Sequence, residues 1–482
     1  MPRPSGFDHD RFPAQGRTGN PVNGQAAGST GDSGNSNAAS RKRMSGKRRK
    51  RLFAMIGIVL ASALIIGIAA VAWGLRSFDD SIVRSEFSLP MVENPVEETG
   101  EQNILVMGMD TRVDLNGDPL PGEVYDALHA GGADDGGYNA NVLMLLHIPE
   151  DRSQAVGISI PRDDYVEIVG SPLGVSHSKI KEAYGLAMQE RMNELYLDES
   201  YTAEEAYHEA RAAGRQAQIE TVSHFLGDVK IDHFVEMTMG GFYHVAQAVQ
   251  PITVCLNHAT EDFYSGADFE AGVQEIDAEQ AISFVRQRRD TGFDGPSLTD
   301  LDRSRRQQAF IIALADKLRD QSTLTNPKTV TSLMGVTQDH VALDSNFDVF
   351  SLLKVFREVA GSGARFVTLP IIEFDKIDGS WVNTVDVDEV QSVVSAIFDG
   401  SYFEALEAEN GEQGEGGAAG SESPWGPEPG EEGQEAGGSA PSDRPDEAGG
   451  AGAEEGEGPD DGLTVYESWD EPIQAGSIPC VN

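Results

Sequence analysis

Cysteine is nearly absent from this chain: Cys255 and Cys480 are the two among 482 residues. With no Cys-x-x-Cys pair and no Cys/His cluster, a structural zinc site is not expected. Neither Gly-x-Ser-x-Gly nor His-Glu-x-x-His occurs, so the sequence offers no nucleophile elbow and no helical zinc-protease motif. His147, His177, His224 and His233 are scattered without ligand spacing and read as ordinary surface or core histidines. Positive charge is also scarce, with 36 Lys+Arg against 79 Asp+Glu and a net charge of −43. The first 51 residues hold eleven of the bases and only three acids, so the remainder is more acidic than the total. A body of that charge repels nucleic acid over most of its surface, and no nucleic-acid partner is expected.

The N-terminal forty residues are rich in Gly, Ser, Asn and Pro and have few large apolar side chains. They cannot bury enough surface to offset chain entropy, so disorder is expected. A basic run, RKRMSGKRRKR, follows at 41–51. Next comes LFAMIGIVLASALIIGIAAVAWGL at 52–75, which carries no charge and exceeds the ~20 residues needed to cross a bilayer core. A cleaved signal peptide would have a shorter apolar region nearer the N-terminus. The reading is a single-pass protein of the cell membrane. Residues 1–51 form a cytoplasmic arm, 52–75 the transmembrane helix, and all that follows lies outside, by the positive-inside rule. Trp73 falls where an interfacial aromatic belongs.

Residues 76–101 read as a polar connector and 102–400 as the folded extracellular domain. NILVMGMD at 103–110 is a buried-type strand that ends in Gly and an acid. An acid just past such a strand is where open α/β sheets place ligand chemistry. Strands are expected at 142–148, 154–160, 231–235, 252–256 and 365–370. Helices are expected from 179, at 203–226, near 241–249, and at 277–285, 301–318, 348–359 and 387–398. Strands alternating with helices predict an α/β (α+β) layered domain with a central mixed β-sheet flanked by helices. From 409 to 471 there are nineteen acids against one base, Arg444, amid Gly, Pro and Ser. Residues 401–471 therefore read as a disordered acidic tail, and 472–482 as an apolar end around Cys480. Both cysteines lie in the external part, where disulfides persist, and no third one competes. A Cys255–Cys480 bridge is expected.

One stretch runs against the acidity. FVRQRRDTGFDGPSLTDLDRSRRQQ, at 284–308, places Arg286, Arg288, Arg289, Arg303, Arg305 and Arg306 within 21 residues. If 285–289 is extended, Arg286 and Arg288 point to one side. If 301–318 is helical, Arg303, Arg306 and Gln307 share a face. Converging arginine forks suit a multiply charged anion such as phosphate, because guanidinium donors match its oxygens. The competing reading is simple pairing with nearby acids.

The strand–Gly–x–Asp segment, PRDDYV, VRQRR and DLDRSRRQQ follow one another as in the LytR-CpsA-Psr (LCP) family. KIKEAYG and DHFVEMTMGGF also resemble segments of that family, as does the plan of basic arm, membrane helix and external domain. Each motif alone is weak; their ordered combination is specific. The resemblance implies an enzyme that moves a glycopolymer from a polyprenyl-pyrophosphate carrier to peptidoglycan, with Mg²⁺ (or Mn²⁺) as cofactor. By that resemblance Arg162, Arg286, Arg288 and Arg303 bind pyrophosphate, Gln307 matches a motif glutamine, and Asp110 and Asn141 hold the metal. Asp163 orients Arg162, and either Asp163 or Asp110 is the candidate base. Two departures stand out. The family often has Arg-Ser-Asp-Thr where this chain has Asn139-Ala140-Asn141-Val142, so an arginine and a carboxylate are missing. Lys181 replaces the usual Asn after Lys-Ile. A non-catalytic protein that binds polyprenyl phosphates or wall polymer is therefore the main alternative. A transcriptional attenuator is a weaker one.

Overall fold

The computed structural model describes residues 82–89, 100–152, 154–292, 295–319, 326–347, 355, 363–413 and 463–482, all within the compact unit Val71–Asn482. The expectations for residues 1–51, the apolar run 52–75, most of the 348–359 helix and the middle of the acidic tail fall outside the described residues. Among the described residues no helix is long and apolar enough to cross a membrane.

The first half runs β1 (Val83–Ser85), β2 (Gln102–Met109), α1 (Gly122–Leu128), β3 (Ala140–Ile148) and β4 (Val156–Ser159). A small hairpin, β5 (Tyr165–Glu167) and β6 (His177–Lys179), leads into α2 (Ala183–Leu195) and α3 (Ala203–Phe225). Helix α3 starts where its sequence says it should. The Thr202 hydroxyl accepts the Glu205 N–H, and the Glu205 carboxylate accepts the Thr202 N–H in return. Then come β7 (His233–Thr238), α4 (Met239–Val249), β8 (Ile252–Leu256), β9 (Thr260–Asp262), β10 (Ala267–Phe269), β11 (Gly272–Ile276) and α5 (Ala278–Arg286). The rest is α6 (Asp300–Arg319), α7 (Pro327–His340), β12 (Val341–Asp344), β13 (Arg365–Thr368), hairpin β14 (Glu373–Ile377) and β15 (Ser380–Thr384), and α8 (Val387–Asp399). Last are α9 (Ser401–Gln413), β16 (Leu463–Val465), β17 (Ile473–Gln474) and β18 (Ile478–Val481).

The central sheet has eight strands in the order β1-β12-β7-β2-β3-β4-β13-β17 and is mixed: β2 runs parallel to β7 but antiparallel to β3. The period-2 alternation of β2 splits its side chains between two cores. Ile104 joins α4, α5 and α6 on one face, while Leu105 and Met107 join α2, α3 and α8 on the other. Two covered faces explain why these strands read as continuous apolar runs. A second sheet, β11-β8-β18-β16, carries the chain's end beside β8, where Cys480 and Cys255 are register partners and are disulfide-bonded.

Two boundaries differ from expectation. The tail does not begin at 401, because α9 continues from α8 after the left-handed turn at Gly400 (φ 84°), and its far end folds from Leu463 onward. Residues 285–289 are not one extended run either. The Asp277 cap starts α5, which continues through Arg286, and only Gln287 turns extended (φ −60°, ψ 128°). Helical periodicity in AEQAISFVR prevails because Ala281, Ile282, Phe284 and Val285 all find buried positions.

Candidate functional site

Because β4 is antiparallel to β3 and β3 to β2, the C-terminal ends of β2 and β4 meet the N-terminal end of β3 at one edge. Asp110 follows β2 and donates its N–H to the Asn139 carbonyl (2.9 Å). Arg162, Asp163 and Asp164 follow β4. Helix α6 is laid over these ends by Gln308, whose amide donates to Ser159 of β4 and Thr368 of β13 (2.9 Å each). That places Arg303, one turn earlier, against the strand ends, where its guanidinium donates to the Asn141 carbonyl (3.2 Å).

The centre of the cluster is Asp300. One carboxylate oxygen accepts from Arg162 (2.9 Å) and the other from Arg303 (2.8 Å). Burial alone would raise this carboxyl, but Arg162 and Arg303 outweigh it and hold it well below the usual carboxylate range. Asp163 is the second acid. Arg162 Nε lies 3.6 Å from one of its oxygens, and Lys181 and Lys179 lie 2.6 and 3.4 Å from the other. Burial again raises it, and Arg162 with the two lysines brings it below its ordinary value. Lys181 in turn is pushed down by burial and by Arg162. Asp110 is the third acid, with Arg112 3.7 Å away.

Arg286 donates to the Leu128 carbonyl and feels both Asp110 and Arg162. Arg288 is exposed and lowers the Asp300 carboxyl through space. Arg112, Arg162, Lys179, Lys181, Arg286, Arg288 and Arg303 thus face Asp110, Asp163 and Asp300, a surplus of positive charge in a chain whose net charge is −43. The surplus comes with unmet hydrogen bonds. The Nε–H groups of Arg162 and Arg303, the Oδ1 atoms of Asn141 and Asp163 and the Oδ2 of Asp164 are buried with no hydrogen-bond partner among the described residues. Buried polar atoms of this kind are rare and cost about 1–3 kcal/mol each. Unsatisfied donors beside excess cations are a receptor for an anion.

Residues 78–398 match the sequence model of the LytR_cpsA_psr family. This chain belongs to the LytR_cpsA_psr family. It is 33% identical over 296 residues to the "Cell wall biosynthesis protein LcpA" of Corynebacterium glutamicum, a match covering 61% of this chain and 55% of that protein. The chain therefore spans about half the length of that relative. It is 27% identical over 338 residues to the "Probable cell wall biosynthesis protein LcpB" of the same organism, covering 70% and 69%. To the "Polyisoprenyl-teichoic acid--peptidoglycan teichoic acid transferase TagU" of Oceanobacillus iheyensis it is 25% identical over 361 residues, covering 73% and 94%.

Within this LytR_cpsA_psr domain, Gln307 donates to the Val285 carbonyl (3.1 Å), next to Arg286, and ties α6 to the end of α5. One expected neighbour of Arg303 lies elsewhere. Arg306 is fully buried, donating to the Gln287 side chain (2.6 Å) and the Asn482 carbonyl (2.7 Å). Arg305 stacks over Tyr466 and donates to the Glu471 carbonyl, so both belong to the docked C-terminal segment. The residue that sequence reasoning missed is Asp300. Its signal was present: an acid three residues before Arg303 on a helix is placed to pair with it. Arg112, two residues past Asp110, left no such signal, because loop neighbours carry no periodicity.

Proposed function

We propose that this protein is a membrane-anchored phosphotransferase that moves a glycopolymer from a polyprenyl-pyrophosphate carrier to peptidoglycan. The observation that carries the reading is the pair of buried, unsatisfied Nε–H groups on Arg162 and Arg303 within a surplus of cations. A diphosphate bridging two esters carries two negative charges and supplies the acceptors these donors lack. Phosphoryl transfer asks a protein mainly for positioning and charge neutralisation. Arg162, Arg286, Arg288 and Arg303 hold the diphosphate, and Asp300 fixes the two arginines that flank it. The names of the relatives support transfer to the cell wall, and the apolar run at 52–75 would keep the site at a lipid surface.

A divalent cation fits the remaining donors. Asp110 offers a carboxylate and Asn141 a buried amide oxygen with no other partner, both oxygen ligands suited to Mg²⁺ or Mn²⁺. Bound there, it would neutralise charge on the diphosphate oxygens. Asp163 is the candidate to receive the acceptor hydroxyl's proton. Arg162, Lys181 and Lys179 hold its basicity down and make it a weak acceptor, and it strengthens as those cations turn to the diphosphate.

The test is release of prenyl phosphate from a short-chain prenyl-pyrophosphate glycan by the purified chain, with Mg²⁺ titrated. Asp110→Ala should abolish metal-dependent turnover while the fold survives, since the side chain is a quarter exposed. Full turnover of that variant would remove Asp110 from the reaction. The neutral Asn141 favours a second reading, a binding protein for polyprenyl phosphates or wall polymer that does no chemistry. Tight binding without release by the wild-type chain would select it.

A further inference from the structure

Asp163 accounts for only part of the charge around it. One carboxylate faces Arg162 at 3.6 Å, Lys179 at 3.4 Å and Lys181 at 2.6 Å. Both lysines stand on a fixed backbone, Lys179 on β6 paired with Tyr165 and Lys181 just after it. The Lys181 N–H donates to the Arg162 carbonyl (3.2 Å), and the Ile180 N–H before it donates to the Asp164 carbonyl (2.8 Å). The backbone of Lys181 is therefore bonded to the same segment that carries the arginine. One turn further on, Gly185 brings Asn139 alongside, with its Oδ1 3.5 Å from where a Cβ on Gly185 would stand, so this segment also borders the start of β3. The Lys181 side chain is 13% exposed. Lys181 pairs as an ion with one oxygen of Asp163, and its ammonium carries three donors. Unlike a guanidinium, it sits on a flexible stem and can change partner without giving up a planar fork.

We infer that Lys181 is a direct contact for the anionic group of the ligand, a cation that Asp163 holds in place and yields when phosphate arrives. The inference rests on the anion-site reading above. The charges that act most on Lys181 are Arg162, Asp163 and Lys179, and of these Asp163 is the acid. Burial and Arg162 make the Lys181 proton easier to lose than that of an ordinary lysine, so this contact should fail at a lower pH than an arginine contact would.

The probe is inorganic pyrophosphate, titrated calorimetrically into the full chain. Lys181→Gln and Lys181→Met should each weaken binding about tenfold or more, a loss on the scale of one charge-assisted hydrogen bond. Lys181→Arg should restore most of the affinity at neutral pH and hold it to higher pH than the wild type does. Asp163→Asn provides the decisive background. A direct contact keeps its effect there, whereas a lysine that merely props Asp163 loses it. Wild-type affinity in Lys181→Gln and Lys181→Met, or no further loss when Lys181→Gln is added to Asp163→Asn, overturns the inference. Arg303→Lys separates the two levels: if it too leaves pyrophosphate binding untouched, the anion site itself is wrong, and if it alone weakens binding, only the role of Lys181 is.

Discussion

Two carboxylates in this protein each lie between two arginines, in different surroundings. Glu236 on β7 is fully buried and accepts from Arg211 and from Arg215 (2.6 Å), both on α3. Tyr184 closes that group, donating to Glu236 (3.2 Å) and accepting from Arg211 (3.2 Å). Burial would raise the Glu236 carboxyl, but Arg215 and Arg211 bring it below its usual value. Asp300 lies between Arg162 and Arg303 at similar distances. The difference is in what surrounds them. Rings of Tyr138 and Tyr207 flank Arg211, and Ser85 takes an Arg215 donor (2.9 Å), so that group is enclosed by the core. Both groups hold buried donors with no hydrogen-bond partner, Arg215 Nη2 beside Glu236 and the Nε–H groups of Arg162 and Arg303 beside Asp300, but more cations stand around Asp300, among them an exposed arginine. One segment, KIKEAYG, touches both: Lys179 and Lys181 face the site, and Tyr184 faces the core. The two arginine–acid–arginine groups thus differ in enclosure and charge balance: the core closes around one, and the other is short of negative charge.

The comparison breaks most visibly at Glu236. Glu236→Gln strands two buried arginines and should cost about 3–5 kcal/mol, read as a lower urea midpoint. A loss under about 1 kcal/mol would mean that packing alone holds α3 on β7. Asp300→Asn should cost less, about 1–3 kcal/mol, because water or an anion can reach the arginines it leaves behind. Pyrophosphate should then raise the melting temperature of Asp300→Asn, and do nothing for Glu236→Gln beyond what it does for wild type.

Next in size is the contrast along α6. Arg303→Lys and Arg288→Lys should weaken prenyl-pyrophosphate binding about tenfold, since lysine keeps the charge and loses the fork. Arg305→Lys should change binding far less, because that side chain holds the Glu471 carbonyl and the Tyr466 ring. Equal losses at all three positions would turn the clamp into a diffuse positive patch. The smallest effect is on acid stability. Asp300 and Asp163 both titrate below their unfolded values, so their contribution is complete above the usual Asp pKa of about 3.9 and is lost as pH falls through the lower folded values. Asp300→Asn should flatten that acid limb in a pH series of unfolding curves.

By itself the sequence determined the local rules. Uninterrupted apolar runs made strands covered on both faces, Thr202 and Asp277 marked helix starts, and an acid after β2 and an arginine after β4 came to the same edge of the sheet. The fork of Arg303 on α6 was legible because a helix repeats every 3.6 residues. What the period cannot say is what each face meets. Arg303, Arg305 and Arg306 share one helix, yet only Arg303 meets Asp300; the other two meet a C-terminal segment more than 160 residues away in the chain. That division, like the difference between the surroundings of Asp300 and Glu236, depends on charge balance within a few ångströms. Only tertiary structure sets such a balance, because Coulomb attraction and desolvation depend on distance and burial, and neither is a property of position along the chain.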